Sequence, residues 1–153
     1  MDESVAGDIY ERNADTVYRL CFSYMKNRDD ALDAMQHTFC RMIESGKAFE
    51  SHEHEKAWLI VVASNVCKNM LKQWWRRNVS ILERDGFDKG ESETDRELLM
   101  VILKFPVKLR IPIYLFYYEG YNSSQIGEMM GKSDATIRGY LAKGRELLRK
   151  EVG

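Results

Sequence analysis

Apolar residues in this chain recur three or four positions apart, and runs that alternate apolar with polar residues are scarce. Such spacing lines one face of an α-helix, whereas a half-buried strand needs alternation. Only two prolines, Pro106 and Pro112, stand in the way of long helices. The expected fold is all-α. Val17, Leu20, Cys21 and Tyr24 make one stripe, and Leu32, Met35, Phe39 and Met42 a second. Leu59, Val62, Ala63, Val66 and Met70 make a third. Asn27-Arg28-Asp29 separates the first two helices, with Asp29 or Asp30 expected to cap the second. Ser45-Gly46 ends it, since glycine suits the left-handed residue beyond a helix end. Residues 47–53 read as a polar loop around Phe49.

From residue 78 to about 94 the periodicity fails, and Asp85-Gly86 and Lys89-Gly90 are turn signals. This stretch is read as a flexible acidic linker between two small helical domains, residues 1–77 and 95–153. A chain of 153 residues has room for two such domains, each with a modest core. In the second half, helices are expected over residues 95–104, 106–118, 123–130 and 134–151.

The net charge of −1 conceals local asymmetry. Residues 66–77 carry Lys68, Lys72, Arg76 and Arg77 and no acid, while residues 83–97 are markedly acidic. Separated charges are screened within about 8–10 Å at physiological salt. Strong DNA binding by the free chain is therefore not expected. Asp2, Glu3 and Asp8 occupy the start, where a secretory leader needs a basic end and an apolar run. No apolar stretch nears the roughly 20 residues that cross a bilayer. Cys21, Cys40 and Cys67 are an odd set in apolar-periodic segments and read as buried free thiols of a reducing cytosol. His52-Glu53-His54 lacks a second ligand cluster, so exposed loop histidines are expected rather than a metal site. No phosphate-binding glycine loop or nucleophile motif is present, which argues against an enzyme or a bound cofactor.

The most informative stretch is residues 123–149. Ser123 is expected to cap a short helix with Ile126 and Met129 turned inward, and Gly131-Lys132-Ser133 to form a tight turn. Ser133 or Asp134 then caps a last helix whose Ile137, Leu141 and Leu148 face the core. Two helices joined by a three-residue turn containing glycine make a helix-turn-helix, whose second helix enters the major groove. Outward residues Thr136, Arg138, Lys143 and Arg145 suit base and phosphate contacts. A solvated basic helix packed on its neighbour is the competing reading. Gly139 and Gly144 weaken the last helix and allow close approach to DNA or to another helix.

The run from Gly120 to Arg145 resembles region 4 of the extracytoplasmic-function (ECF) sigma factors, members of the sigma-70 type. Phe105-Pro106 with Arg110 is similar to that family's Leu-Pro and downstream arginine. Departures are Gln125, Gly139 and Tyr140. Residues 31–42 resemble the family's region 2 helix that docks on polymerase, with Asp33, Gln36, Thr38, Phe39 and Arg41 on matching positions and His37 departing. Residues 57–77 resemble its −10 recognition helix, with Val61 departing.

The resemblance implies a protein that binds core RNA polymerase, through the β′ coiled coil and the β flap, and reads −10 and −35 promoter DNA. Core-polymerase contacts would come from Asp33, Gln36, Phe39 and Arg41. Contacts to the −10 element would come from Trp58, Asn65, Lys68, Asn69, Lys72, Arg76 and Arg77. Contacts to the −35 element would come from Ser133, Thr136, Arg138, Tyr140, Lys143 and Arg145. It further implies a cytoplasmic protein, on the nucleoid when in holoenzyme, without membrane insertion, and an anti-sigma factor as a candidate partner. The alternative is a helix-turn-helix regulator with a sensing or dimerising N-terminal domain, which would bind a palindrome as a dimer without polymerase.

Overall fold

Asp2 opens the first helix by accepting the Ser4 backbone N–H, and Lys26, in the left-handed region at φ 65°, closes it. The structure, a computed structural model, describes residues 2–77 and 99–152. The expected linker, residues 78–94, lies outside the described residues. The chain divides into two compact units, Met1–Phe87 and Asp88–Gly153.

The first unit holds α1 (Glu3–Met25), α2 (Arg28–Ser45) and α3 (His52–Arg77). Val17, Leu20, Cys21 and Tyr24 of α1 are buried together with Leu59, Ala63 and Val66 of α3. The expected stripes need amendment at their edges. Val62 and Met70 are only half-buried, and Ile60 and Cys67 fill the places assigned to them. On α2, Ala31, Ala34 and Thr38 complete the buried face while Leu32 stands exposed. Ala31 and Ala34 let a neighbouring helix close in, and this shifts the core arc away from Leu32.

The caps fall earlier than the acidic residues suggested. Asn27, not Asp29 or Asp30, caps α2 by accepting the Asp30 N–H, and its own amide donates to Asp30 Oδ2. Gly46 ends α2 at φ 60°, as expected. Ser51 Oγ accepts the His54 N–H, so His52 and His54 sit in the first turn of α3 rather than in a loop.

A clamp on the buried Glu55 ties α1 to α3. Arg12 donates from Nε to Glu55 Oε1 at 3.0 Å and from Nη2 to Oε2 at 2.9 Å, and Asn13 Nδ2 donates to Oε1 at 2.8 Å. Cys21 and Cys67 meet between the same helices. Their hydrogen bond and their burial push the Cys67 thiol up, which keeps it unreactive. Cys40, in contrast, is exposed on α2, against the expectation of a third buried thiol.

The second unit holds a helical turn over residues 99–102, and residues 103–104, where the helix expected over 95–104 was to continue, form a turn instead. It is followed by α4 (Val107–Tyr117), α5 (Ser123–Met130) and α6 (Asp134–Val152). α4 is its centre, with Leu109, Ile111, Ile113, Tyr114 and Leu115 buried. Arg110 is buried as well and donates from Nε to the Phe105 carbonyl at 3.1 Å, pinning the loop before α4. Asn122, not Ser123, caps α5 in a reciprocal box with Gln125. Gly131 turns the chain at φ 68°, and Ile126 and Ile137 are fully buried on either side of that turn. Met129 and Leu148, expected inside, are half-buried.

Candidate functional site

On α3 the residues turned away from the core gather on one stripe. At 100° per residue, Trp58, Asn65, Asn69 and Lys72 fall within about 60° of one another, and Lys68 and Trp75 lie together along one edge of the stripe. Asn65, Lys68, Asn69 and Lys72 have no hydrogen bond or ion pair to any described residue, apart from helix backbone bonds. Trp58 is half-buried and held edge-on by Phe49 at 5.5 Å, and Phe49 in turn meets His54 at 5.5 Å. The loop before α3 thus supports the start of the stripe. Arg76 and Arg77 fall in the last turn of α3.

An open cleft of about 730 Å³ lies along this stripe, lined by Arg41, Asn65, Lys68, Asn69, Leu71, Lys72 and Trp75. Its lining has three cations and no carboxylate. Cations beside an aromatic face are the chemistry that suits single-stranded nucleic acid, and amides such as those of Asn65 and Asn69 can hydrogen-bond a base edge.

The four residues assigned to the second face, on α2, separate in space. Asp33 and Gln36 are exposed, and Asp33 Oδ1 lies 3.6 Å from His37 Nε2. Phe39 is in the core, tilted at 60° against Tyr10 at a centroid distance of 4.9 Å, so it lies beneath the exposed face. Arg41 lines the cleft instead. Leu32 and Ile43 were missed, the first because it was counted as core. Both are exposed and lie within about 40° of Gln36 on the helix, with exposed Tyr10 on α1. They add open apolar surface beside the polar Asp33 and Gln36. The helical angle between Leu32, Gln36 and Ile43 was the available signal.

In the second unit the helix-turn-helix candidates surround the start of α6. Ser133 Oγ accepts the Thr136 N–H at 3.1 Å and lies 2.8 Å from Thr136 Oγ1, so the two side chains form the cap of α6. Asp134 takes a hydrogen bond from Ser123 Oγ, joining α5 to α6, and pairs with Arg138 Nε at 3.0 Å. Arg138 and Arg145 share one edge of the exposed face, and Thr136, Tyr140 and Lys143 stand on the other, roughly 150° away. Between them lie Gly139 and Ala142, both exposed, and sequence reading did not place Ala142 in the site at all. Gly144 is buried: a Cβ there would collide with Ile113 Cδ1 and lie 2.7 Å from its Cγ1. Of the two openings foreseen for that glycine, close approach to another helix is the one taken.

The model for sigma-70 region 2 matches residues 9–77, and that for sigma-70 region 4 matches residues 95–148. RNA polymerase sigma factor SigV of Bacillus subtilis (strain 168) is 25% identical over 140 residues, covering 88% of this chain and 83% of that protein. ECF RNA polymerase sigma factor SigW of the same organism is 23% identical over 169 residues, covering 99% and 90%. This chain belongs to the ECF branch of the sigma-70 family.

The fold agrees. Sigma factor RpoE of Bartonella quintana, solved in complex with the anti-sigma factor NepR, superposes with a TM-score of 0.80 at 17% identity, covering 94% of this chain and 95% of that one. The protein is thus an alternative sigma factor, a non-enzymatic initiation factor for RNA polymerase whose partners are the core enzyme and promoter DNA. Among the described residues no helix is long and apolar enough to cross a membrane.

Proposed function

We propose that this sigma factor divides its work between three surfaces. The α2 face built from Asp33, Gln36, Leu32 and Ile43 docks on the β′ coiled coil of core polymerase, and the second unit meets the β flap. The α3 stripe of Trp58, Asn65, Lys68, Asn69 and Lys72, continued by Arg76 and Arg77, reads and opens the −10 element. The helix-turn-helix of α5 and α6 reads the −35 element through Thr136, Arg138, Tyr140, Lys143 and Arg145 around the Gly139–Ala142 centre, with Ser133 as the cap that aims the helix. The protein acts in the cytoplasm, on the nucleoid when in holoenzyme, and meets an anti-sigma factor, as the Bartonella quintana neighbour does.

The observation that carries this reading is the acid-free cleft of cations, amides and tryptophan on α3. No ligand-sensing cavity or dimer face is needed to account for the first unit. Reconstitution with core polymerase on a promoter library, read as mapped transcript starts, tests it. Wild type should yield starts behind two separable sequence elements. Asn65→Ala should erase the downstream preference and Arg145→Ala the upstream one. A palindromic consensus bound by the chain without polymerase would overturn the reading.

A further inference from the structure

Arg41 sits on the helix that docks polymerase, but its surroundings are those of the other surface. At 100° per residue it stands about 140° from Gln36, about 160° from Ile43 and about 180° from Leu32. These residues lie on one edge of the exposed arc of α2, and Arg41 lies on the opposite edge. There it lines the cleft with Lys68, Lys72, Asn65, Asn69 and Trp75. It is exposed and has no ion pair or side-chain hydrogen bond to any described residue. Three unpaired cations around one cleft repel each other, and a polyanion relieves that repulsion. Trp75, 63% exposed at the same cleft, gives a stacking face beside them.

We infer that Arg41 is a nucleic-acid contact lent by α2 to the α3 surface, binding a promoter-strand phosphate beside the bases that α3 reads. Arginine suits the place because its planar fork binds phosphate through two parallel hydrogen bonds. Asp33 and Gln36 are left to polymerase, and the two faces of α2 serve two partners at once. The inference rests on the reading of α3 as the −10 surface, so its test includes a residue of that surface.

Holoenzymes are assembled from core polymerase with wild type, Arg41→Gln, Arg41→Lys and Lys68→Gln. Their affinity for a fluorescent fork-junction DNA carrying the −10 element is measured across a salt series, and affinity for core is measured by competition. Arg41→Gln should weaken DNA binding several-fold and flatten the slope of log K against log salt by about 0.7–0.9, the loss of one phosphate contact. Core affinity should stay within twofold, and Arg41→Lys should restore most of the slope. If Lys68→Gln weakens DNA binding and Arg41→Gln does not, the inference fails and the α3 reading stands. If neither does, both fail. Loss of core affinity in Arg41→Gln with DNA binding intact returns Arg41 to the docking face.

Discussion

Glu55 is 4% exposed and carries a charge, a combination that a small helical unit tolerates only with full pairing. Burial pushes its carboxyl up. The hydrogen bonds from Arg12 and Asn13, with the Arg12 charge, outweigh that and hold it below the usual carboxylate range. Because the folded value is the lower one, the clamp's stabilisation is complete above the unfolded value, about 4.3. It disappears as pH falls through the folded value. Glu55→Gln should therefore lower the stability of the first unit by about 1.5–3 kcal/mol at pH 7, the worth of hydrogen bonds to a charged group. The gap from wild type should close as pH drops below about 4. Urea melts at several pH values check this, and a gap independent of pH would refute the charged clamp. Little of the clamp was legible in the sequence, because Arg12, Asn13 and Glu55 are polar residues far apart in the chain. Only the packing of α1 on α3 makes them neighbours. Trp58, Asn65 and Asn69, by contrast, share one helix, and helical periodicity alone places them on one face.

At the level of elements, apolar spacing located the described helices, and glycine located two of their ends, at Gly46 and Gly131. Starts were less legible. Asn27 and Asn122 take the caps that acidic or hydroxyl neighbours seemed equally able to take, and the choice is settled by which residue has extended backbone. The same limit applies to the two glycines of α6, which look alike in sequence and are opposite in structure. Gly139 faces open space, and Gly144 has Ile113 against it. Gly139→Ala should gain about 1 kcal/mol of helix stability. Gly144→Ala should gain the same propensity but overpack the α4–α6 contact by about 1–3 kcal/mol, for a net loss. Hydrogen exchange within α6 of the full chain should slow in the first variant and quicken in the second. Equal behaviour of the two would contradict the close approach of Ile113 to Gly144. At Gly139 the added methyl also enters the centre of the proposed −35 face, so that variant should lose promoter affinity while gaining stability.

At the scale of the whole molecule the matched regions end at residue 77 and resume at residue 95, and the length of chain between them is itself a constraint. Elements centred about 25 base pairs apart lie about 85 Å from each other along the duplex, at 3.4 Å per base pair. Residues 78–94 reach at most about 60 Å when fully extended. A unit of some 70 residues has a radius of gyration near 11 Å, so two units supply another 30–40 Å or so between their DNA-reading faces. The sum exceeds the required distance by only a small margin. The number of residues between the matched regions is therefore close to the fewest that could join them at this spacing. Removing residues 85–94 would cut the reach to about 25 Å, and the total then falls short of the duplex distance by roughly 20 Å. The shortened chain should keep its helical circular dichroism, since the helices of each unit do not depend on the residues removed. It should fail to transcribe from promoters that need both elements. Undiminished transcription at the native spacing would mean that the two regions do not hold both elements at once, and the division of promoter reading between α3 and α6 would have to be abandoned.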